Sequence, residues 1–199
     1  MTKIISDNNK NAVNEAVRVL RHGGVIVYPT ETSYGIGVDA TNQKARKKIY
    51  KIKKRFVWKK LSIVLGSSLM AQRYIRIDSK AKKLINKFMP GPLTIVCDSK
   101  RAGNMGKDVA FRISRHKFAL SVVRSFGKPV TATSANITGK GPIYEIRKII
   151  KTFDGKVDLI INGGNLPRRK VSTIYDVRSG KIFRKGPVSK SEIDKALNS

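Results

Sequence analysis

An α/β fold, a twisted mixed sheet layered with helices, is predicted by three observations. Short apolar runs of strand length alternate with segments of helical period along the whole chain. Glycine and proline punctuate the joints between them. No internal repeat, low-complexity linker or composition shift divides the 199 residues, so one domain spanning 1–199 is expected. With 40% apolar residues the chain can build one core at this length.

Taken in order, Ala12, Val13, Ala16, Val17 and Leu20 recur at helical spacing, and Gly23-Gly24 stops that helix. Val25 to Tyr28 reads as a buried strand ended by Pro29. Asn42 is placed to cap a helix running to about Arg55, with Ala45, Ile49 and Ile52 on one face. Ser62 to Leu65 is a short strand. Ala81, Leu84, Ile85 and Phe88 define an amphipathic helix closed by Pro90-Gly91-Pro92. Leu93 to Cys97 and Val109 to Ile113 read as strands, and Phe118 to Phe126 as a helix. Pro129 to Thr133 leads into a Ser-Ala-Asn turn; Tyr144 to Phe153 is helical; Val157 to Ile161 is a strand ended by Asn162-Gly163-Gly164. Thr173 to Val177 and Lys181 to Arg184 flank Ser179-Gly180 as a hairpin, and Ser189 with Glu192 forms a capping box for the last helix.

Charge is the outlying property. Lys and Arg total 42 against 13 Asp and Glu, a formal +29, which favours polyanionic partners such as RNA, DNA or nucleotide phosphates. No apolar run approaches the ~18 residues of a membrane span, and the opening residues lack a secretion signal, so a cytoplasmic location without membrane contact is expected. The one cysteine, Cys97, lies in an apolar run and reads as a small buried hydrophobe.

Four segments could carry chemistry, each following a strand or ending a helix. Ligands bind at such places in open α/β sheets. Tyr28-Pro29-Thr30-Glu31-Thr32-Ser33-Tyr34-Gly35 concentrates hydroxyls and a carboxylate; it is either a site or a hydroxyl-rich turn. From Lys44 to Lys60, ten of seventeen residues are basic, Lys53 and Arg55 among them. That stretch is a solvated face, a phosphate clamp, or an RNA-binding stripe in which Phe56 and Trp58 stack on bases. Thr131 to Asn136 offers small hydroxyl residues directly after a strand. Ser172-Thr173, Arg184 and Arg112 form the fourth group; an arginine on an apolar strand requires an anionic partner or a route to water. The sequence lacks a GxxxxGK[ST] loop, a GxGxxG fingerprint, zinc spacing and any arguable Ser-His-Asp set. Catalysis, if present, would rest on positioning and charge rather than on a covalent nucleophile.

These segments, in this order, resemble the YrdC-type threonylcarbamoyl-AMP synthases in their short, single-domain form, from about Gly23 to Gly186. The carrying motifs are Gly24 to Gly35, Lys53-Lys54-Arg55, Pro90-Gly91-Pro92-Leu93-Thr94, Val109-Ala110-Phe111-Arg112-Ile113, Ser134-Ala135-Asn136, Ser172-Thr173 and Arg184-Lys185-Gly186. Three family prolines are replaced, by Phe56, Lys60 and Ser114, which removes backbone stiffness around the basic loop.

The resemblance implies a sheet wrapped around a concave basic cavity. It implies ATP with magnesium on its phosphates, L-threonine and bicarbonate as substrates, with no protein metal site. The product would serve a tRNA-modifying threonylcarbamoyltransferase complex acting on adenosine 37. By the same resemblance, Lys53 and Arg55 are expected on the ATP phosphates as catalytic residues. Arg112, Ser134, Asn136, Ser172 and Arg184 complete the ATP site; Thr30, Thr32, Tyr34 and Thr94 shape the threonine pocket. Glu31 is expected on the threonine ammonium or on magnesium-bound water. The alternative implied by the charge is a non-catalytic module that binds tRNA or double-stranded RNA. A related carbamoyl transfer, as in hydrogenase-maturation proteins, is a third reading, weakened by the missing zinc-finger and acylphosphatase parts.

Overall fold

The computed structural model describes residues 1–100 and 105–198. Among these residues, eleven strands and seven helices form a mixed α/β architecture. The strands are β1 (Lys3–Ser6), β2 (Ile26–Pro29), β3 (Tyr34–Gly37), β4 (Ile63–Leu65), β5 (Leu93–Asp98), β6 (Asp108–Ile113), β7 (Val130–Thr131), β8 (Thr133–Ser134), β9 (Leu159–Asn162), β10 (Thr173–Asp176) and β11 (Ile182–Arg184). The helices are α1 (Ala12–Arg21), α2 (Gln43–Lys53), α3 (Ser68–Tyr74), α4 (Ser79–Phe88), α5 (Lys117–Phe126), α6 (Ile146–Phe153) and α7 (Lys190–Asn198). None of the described helices is long and apolar enough to cross a membrane.

The strands form two sheets, ordered β1-β9-β2-β3-β8 and β11-β10-β5-β6-β4-β7. The chain steps from one to the other across Ala132, because β7 pairs with β4 while β8 pairs with β3. An isolated bridge between Asp39 and Val130, and the Val38 amide donating to Thr131 Oγ1 at 3.1 Å, stitch the seam. The bend at this seam makes the hollow.

Side-chain alternation explains the layers. In the first sheet Ile26, Tyr28, Leu159 and Ile161 pack with α1 and α5, while Val25, Val27, Ile36 and Ile160 pack with α2 and α6. In the second, Ile63, Leu65, Ile95, Cys97, Phe111 and Ile113 pack under α4 and α7. Arg112 lies between Phe111 and Ile113, so the same period that buries its neighbours turns it to the opposite face.

Local signals set the ends. Asn42 and Asp78 accept from the amides of Ala45 (3.0 Å) and Ala81 (2.7 Å), and Ser189 with Glu192 closes the capping box. Gly180, at φ 69°, turns the β10–β11 hairpin. Helix α2 stops at Lys53, two residues before the sequence expectation, because Lys54 takes a left-handed φ of 49°. Four elements lie outside the sequence reading: β1, α3, the two-residue β8, whose Ser134 reads as part of the Ser-Ala-Asn turn, and β3, whose first residues read as a polar turn.

Cys97 is 3% exposed, and burial, with Asp78, Asp176 and Asp98 adding to it, pushes its thiol up to about 12. Native protein at pH 8 should therefore resist iodoacetamide and become labelled only on denaturation. Native labelling at the rate of a free thiol would overturn the burial.

Candidate functional site

A cavity of about 180 Å³ opens at the seam between the sheets. Its cations are Arg55 from the loop after α2, Lys60, Arg112 from β6 and Arg184 from β11. Hydroxyls come from Thr30, Thr32, Ser33, Ser62, Thr133 and Ser134. Among the described residues no acidic side chain lines it. Thr30 is shared with a larger neighbouring groove of about 680 Å³, which Glu31 also lines.

The segment from Thr30 to Ser33 is both a turn and a wall. Thr30 Oγ1 donates to the Ser33 carbonyl at 2.7 Å and accepts from the amides of Thr32 and Ser33. Tyr34 borders the cavity, but its hydroxyl donates to the Gly164 carbonyl at 2.6 Å and accepts from the Gly163 amide at 3.0 Å. Burial raises that phenol to about 12.

Arg112 and Arg184 meet at Ser172. Arg184 donates to the Ser172 carbonyl and hydroxyl, both at 2.9 Å, and Arg112 Nη1 reaches the same hydroxyl at 3.4 Å. Burial, and then the charge of Arg112, lower the pKa of Arg184. Two guanidiniums held side by side repel one another and favour an anion between them and the solvent.

Four expected site residues stand behind the wall rather than on it. Ser172 is fully buried, and its hydroxyl lies 2.9 Å from that of Thr94, which is buried as well. Lys53 is 2% exposed. Its ammonium donates to the carbonyls of Ser134 and Asn136 (2.7 Å to the latter) and to Asn136 Oδ1 at 3.0 Å. These three acceptors use all of its protons. Burial, and secondarily Arg55, lower Lys53 to about 7. Asn136 is buried too and receives the Ser134 hydroxyl at 2.6 Å. Lys53, Asn136, Ser172 and Thr94 therefore hold the wall in this structure, because the protein's own groups satisfy their polar atoms.

Glu31 also departs from expectation. It faces Arg112, with Oε1 3.1 Å from Nε in a contact not aligned as a hydrogen bond, and its other oxygen accepts from Ser114 Oγ. Ser114, one of the proline replacements, thus supplies a donor where a proline would offer none. The basic loop, where the other two prolines are lost, is braced by Arg55. Its Nε and Nη2 donate to the carbonyls of Lys59 and Lys60, each at 3.0 Å, and the Lys59 amide bonds the Phe56 carbonyl at 3.1 Å. Lys60 pairs with Asp108.

Ser62 is a polar lining residue outside the candidate segments of the sequence, whereas Lys60 and Thr133 fall within them. Strand alternation would find Ser62, two positions before Val64 on β4. The contacts of Glu31 have no sequence signal, since its ion-pair partner Arg112 lies on β6 and 83 positions part it from its hydroxyl donor Ser114.

Residues 18–186 match the Sua5/YciO/YrdC family model, described as telomere recombination. P. abyssi Sua5 complexed with L-threonine superposes with a TM-score of 0.90 at 28% identity, over 99% of this chain and 61% of that one. A double variant of P. abyssi Sua5 gives 0.89 at 30% identity, over 98% and 63%. This chain thus spans about three-fifths of the length of those Sua5 chains. E. coli YciO shares the fold, with a TM-score of 0.86 at 22% identity over 97% of this chain and all of that one. With the motif residues converging at one seam and the family match running through nearly all of the sequence, the chain belongs to the Sua5/YciO/YrdC family.

Proposed function

We propose that this protein is an L-threonylcarbamoyladenylate synthase, a nucleotidyltransferase acting on L-threonine, bicarbonate or carbon dioxide, and ATP. One observation carries the reading. Arg55, Arg112 and Arg184, from three separate elements, face a single cavity with Thr30, Thr32 and Ser134 in a chain of this family. The similarity to a Sua5 complexed with L-threonine supports threonine as a substrate.

The neutral threonine amine adds to the carbon of carbon dioxide and gives up a proton to solvent, or condenses with bicarbonate and releases water, and either route leaves a carbamate. A carbamate oxygen then attacks the α-phosphorus of ATP; the bond to the bridging oxygen breaks, and pyrophosphate leaves with its electron pair. Magnesium enters on the ATP phosphates as part of the substrate. In this second step the nucleophile, ATP and the leaving group are all anions, so fixed cations should dominate the barrier. Arg112 and Arg184 suit the α-phosphate and the carboxylated threonine. Arg55 suits the charge growing on pyrophosphate. Lys53, Asn136 and Ser172 position Ser134 and the two arginines. The chamber of about 180 Å³ is smaller than the ~300–1,000 Å³ usual for ligand pockets, so the substrates extend past Thr30 into the adjoining groove. The product would pass to a threonylcarbamoyltransferase complex that modifies adenosine 37 of tRNA.

The test is pyrophosphate release from ATP. It is expected to require threonine and bicarbonate together and to cease when either is omitted. The second reading, a non-catalytic RNA-binding module, is favoured by the net charge of +29. Salt-sensitive RNA binding with no such release would establish it in place of the synthase.

A further inference from the structure

One cation of the central cavity is also committed elsewhere. Lys60 lines that cavity with Arg55, Arg112 and Arg184, yet its ammonium is paired with Asp108, a residue outside the lining. The lysine side chain is 57% exposed and the aspartate 16%. Lys60 and Asp108 together line a second, small hollow of about 40 Å³, so Lys60 stands in the wall between the two spaces. Its backbone is held there, because its carbonyl accepts from Arg55 Nη2 at 3.0 Å. The part free to move is the four-carbon stem.

The Asp108 side is an acidic corner of the second sheet. Asp98 ends β5 and Asp108 begins β6, directly opposite one another in the ladder, and Asp176 ends β10. Arg178 draws the three together. Its Nε and Nη2 donate to Asp176 at 3.0 and 2.9 Å, Nη2 also to Asp108 Oδ2 at 3.0 Å, and Nη1 to Asp98 at 3.3 Å. One guanidinium cannot neutralise three carboxylates, and like charges opposed in a ladder repel. The surplus negative charge holds the Lys60 ammonium. Asp108 keeps Arg178 when the lysine turns away, so its carboxylate is not stranded.

The cavity side attracts Lys60 only once an anion is bound. Arg55, Arg112 and Arg184 repel a fourth cation, and Glu31 offsets Arg112 alone. A triphosphate among the guanidiniums reverses the sign. An exposed ammonium–carboxylate pair is weak in water, whereas an ammonium on phosphate makes a strong charge-assisted hydrogen bond.

We propose that Lys60 is a substrate cation with two seats, Asp108 in the free protein and the nucleotide phosphates when ATP binds, so that Asp108 sets the affinity for ATP. The inference rests on the synthase reading, which supplies the nucleotide. Lys60 is one of the three proline replacements, and a proline has no charge to exchange. The switch is therefore carried by this chain's own residue rather than by the shared motif.

The test is the affinity for magnesium ATP by titration calorimetry, without threonine. Lys60→Met keeps the stem, removes the charge and should weaken ATP by about ten-fold. Asp108→Asn keeps an acceptor for Arg178, loses the charge that holds the lysine, and should tighten ATP by about three-fold. Added to Lys60→Met, Asp108→Asn should have no further effect, a coupling that a merely structural role would not produce. The proposal is overturned if Lys60→Met binds ATP normally, if Asp108→Asn does not tighten it, or if the full effect of Asp108→Asn persists without the lysine. It also falls if the parent binds neither ATP nor inorganic pyrophosphate. Coupled binding in a protein that releases no pyrophosphate with threonine and bicarbonate would sink the synthase reading and leave the two-seat lysine standing. Such release with no coupling would do the reverse.

Discussion

Arg55→Ala is expected to cut threonine- and bicarbonate-dependent pyrophosphate release by about 100-fold or more, the scale of one lost charge contact to a transition state. Arg55 is half-buried on the cavity wall, and burial lowers its pKa with no carboxylate nearby among the described residues to offset the cost. Its charge is therefore held at some expense and directed at the cavity. The same guanidinium braces the loop through the carbonyls of Lys59 and Lys60, so two roles must be separated. Arg55→Lys keeps the cation but cannot span both carbonyls with a planar fork. It should restore part of the turnover while Trp58 emission still reports a loosened loop. Wild-type turnover in Arg55→Ala would remove this residue from the mechanism.

Gly186→Ala is expected to cost roughly 3 kcal/mol of stability, the upper range for forcing one extra carbon into a packed site. A Cβ there would lie 2.3 Å from the Thr173 nitrogen, 2.4 Å from the Val171 oxygen and 2.7 Å from the Ser172 carbonyl carbon. All three are backbone atoms, which cannot rotate away. The displaced segment carries Ser172, which holds Arg112 and Arg184 together, and begins β10 beside β5. For a chain of this size the midpoint of thermal unfolding should drop by about 6–12 °C, and pyrophosphate release should fall with it even well below that midpoint. An unchanged melting curve would show that the 171–173 backbone can yield, and that the Arg-x-Gly motif serves another purpose.

Most elements were legible because their signals are local. The caps at Asn42 and Asp78, the Ser189–Glu192 box and the hairpin at Gly180 act within a few residues, and apolar period marks the buried face of α1, α4 and α5. Strand β1 escaped because its run is short and its exposed Lys3, Ile4 and Ser6 blur the alternation. Helix α3 is brief and buries only Ala71. The first residues of β3 read as a turn because the hydroxyls of Thr30 to Ser33 form one just before it.

At the site, the inventory is readable from the residue order: three arginines, the hydroxyl-rich segments, and a positive balance too large for the available acids to neutralise. The same order turns Arg112 away from the core, since strand period depends on neighbours alone. Tertiary structure decided which residues face the cavity and which stand behind it. Lys53 is withdrawn by oxygens 81 and 83 positions away, Ser172 joins arginines from two strands, and Glu31 is turned to Arg112 across the fold. The physical reason is that a buried charge or hydroxyl takes whichever partner the packing brings within about 3 Å, and that partner is set by the pairing of distant strands rather than by nearby sequence.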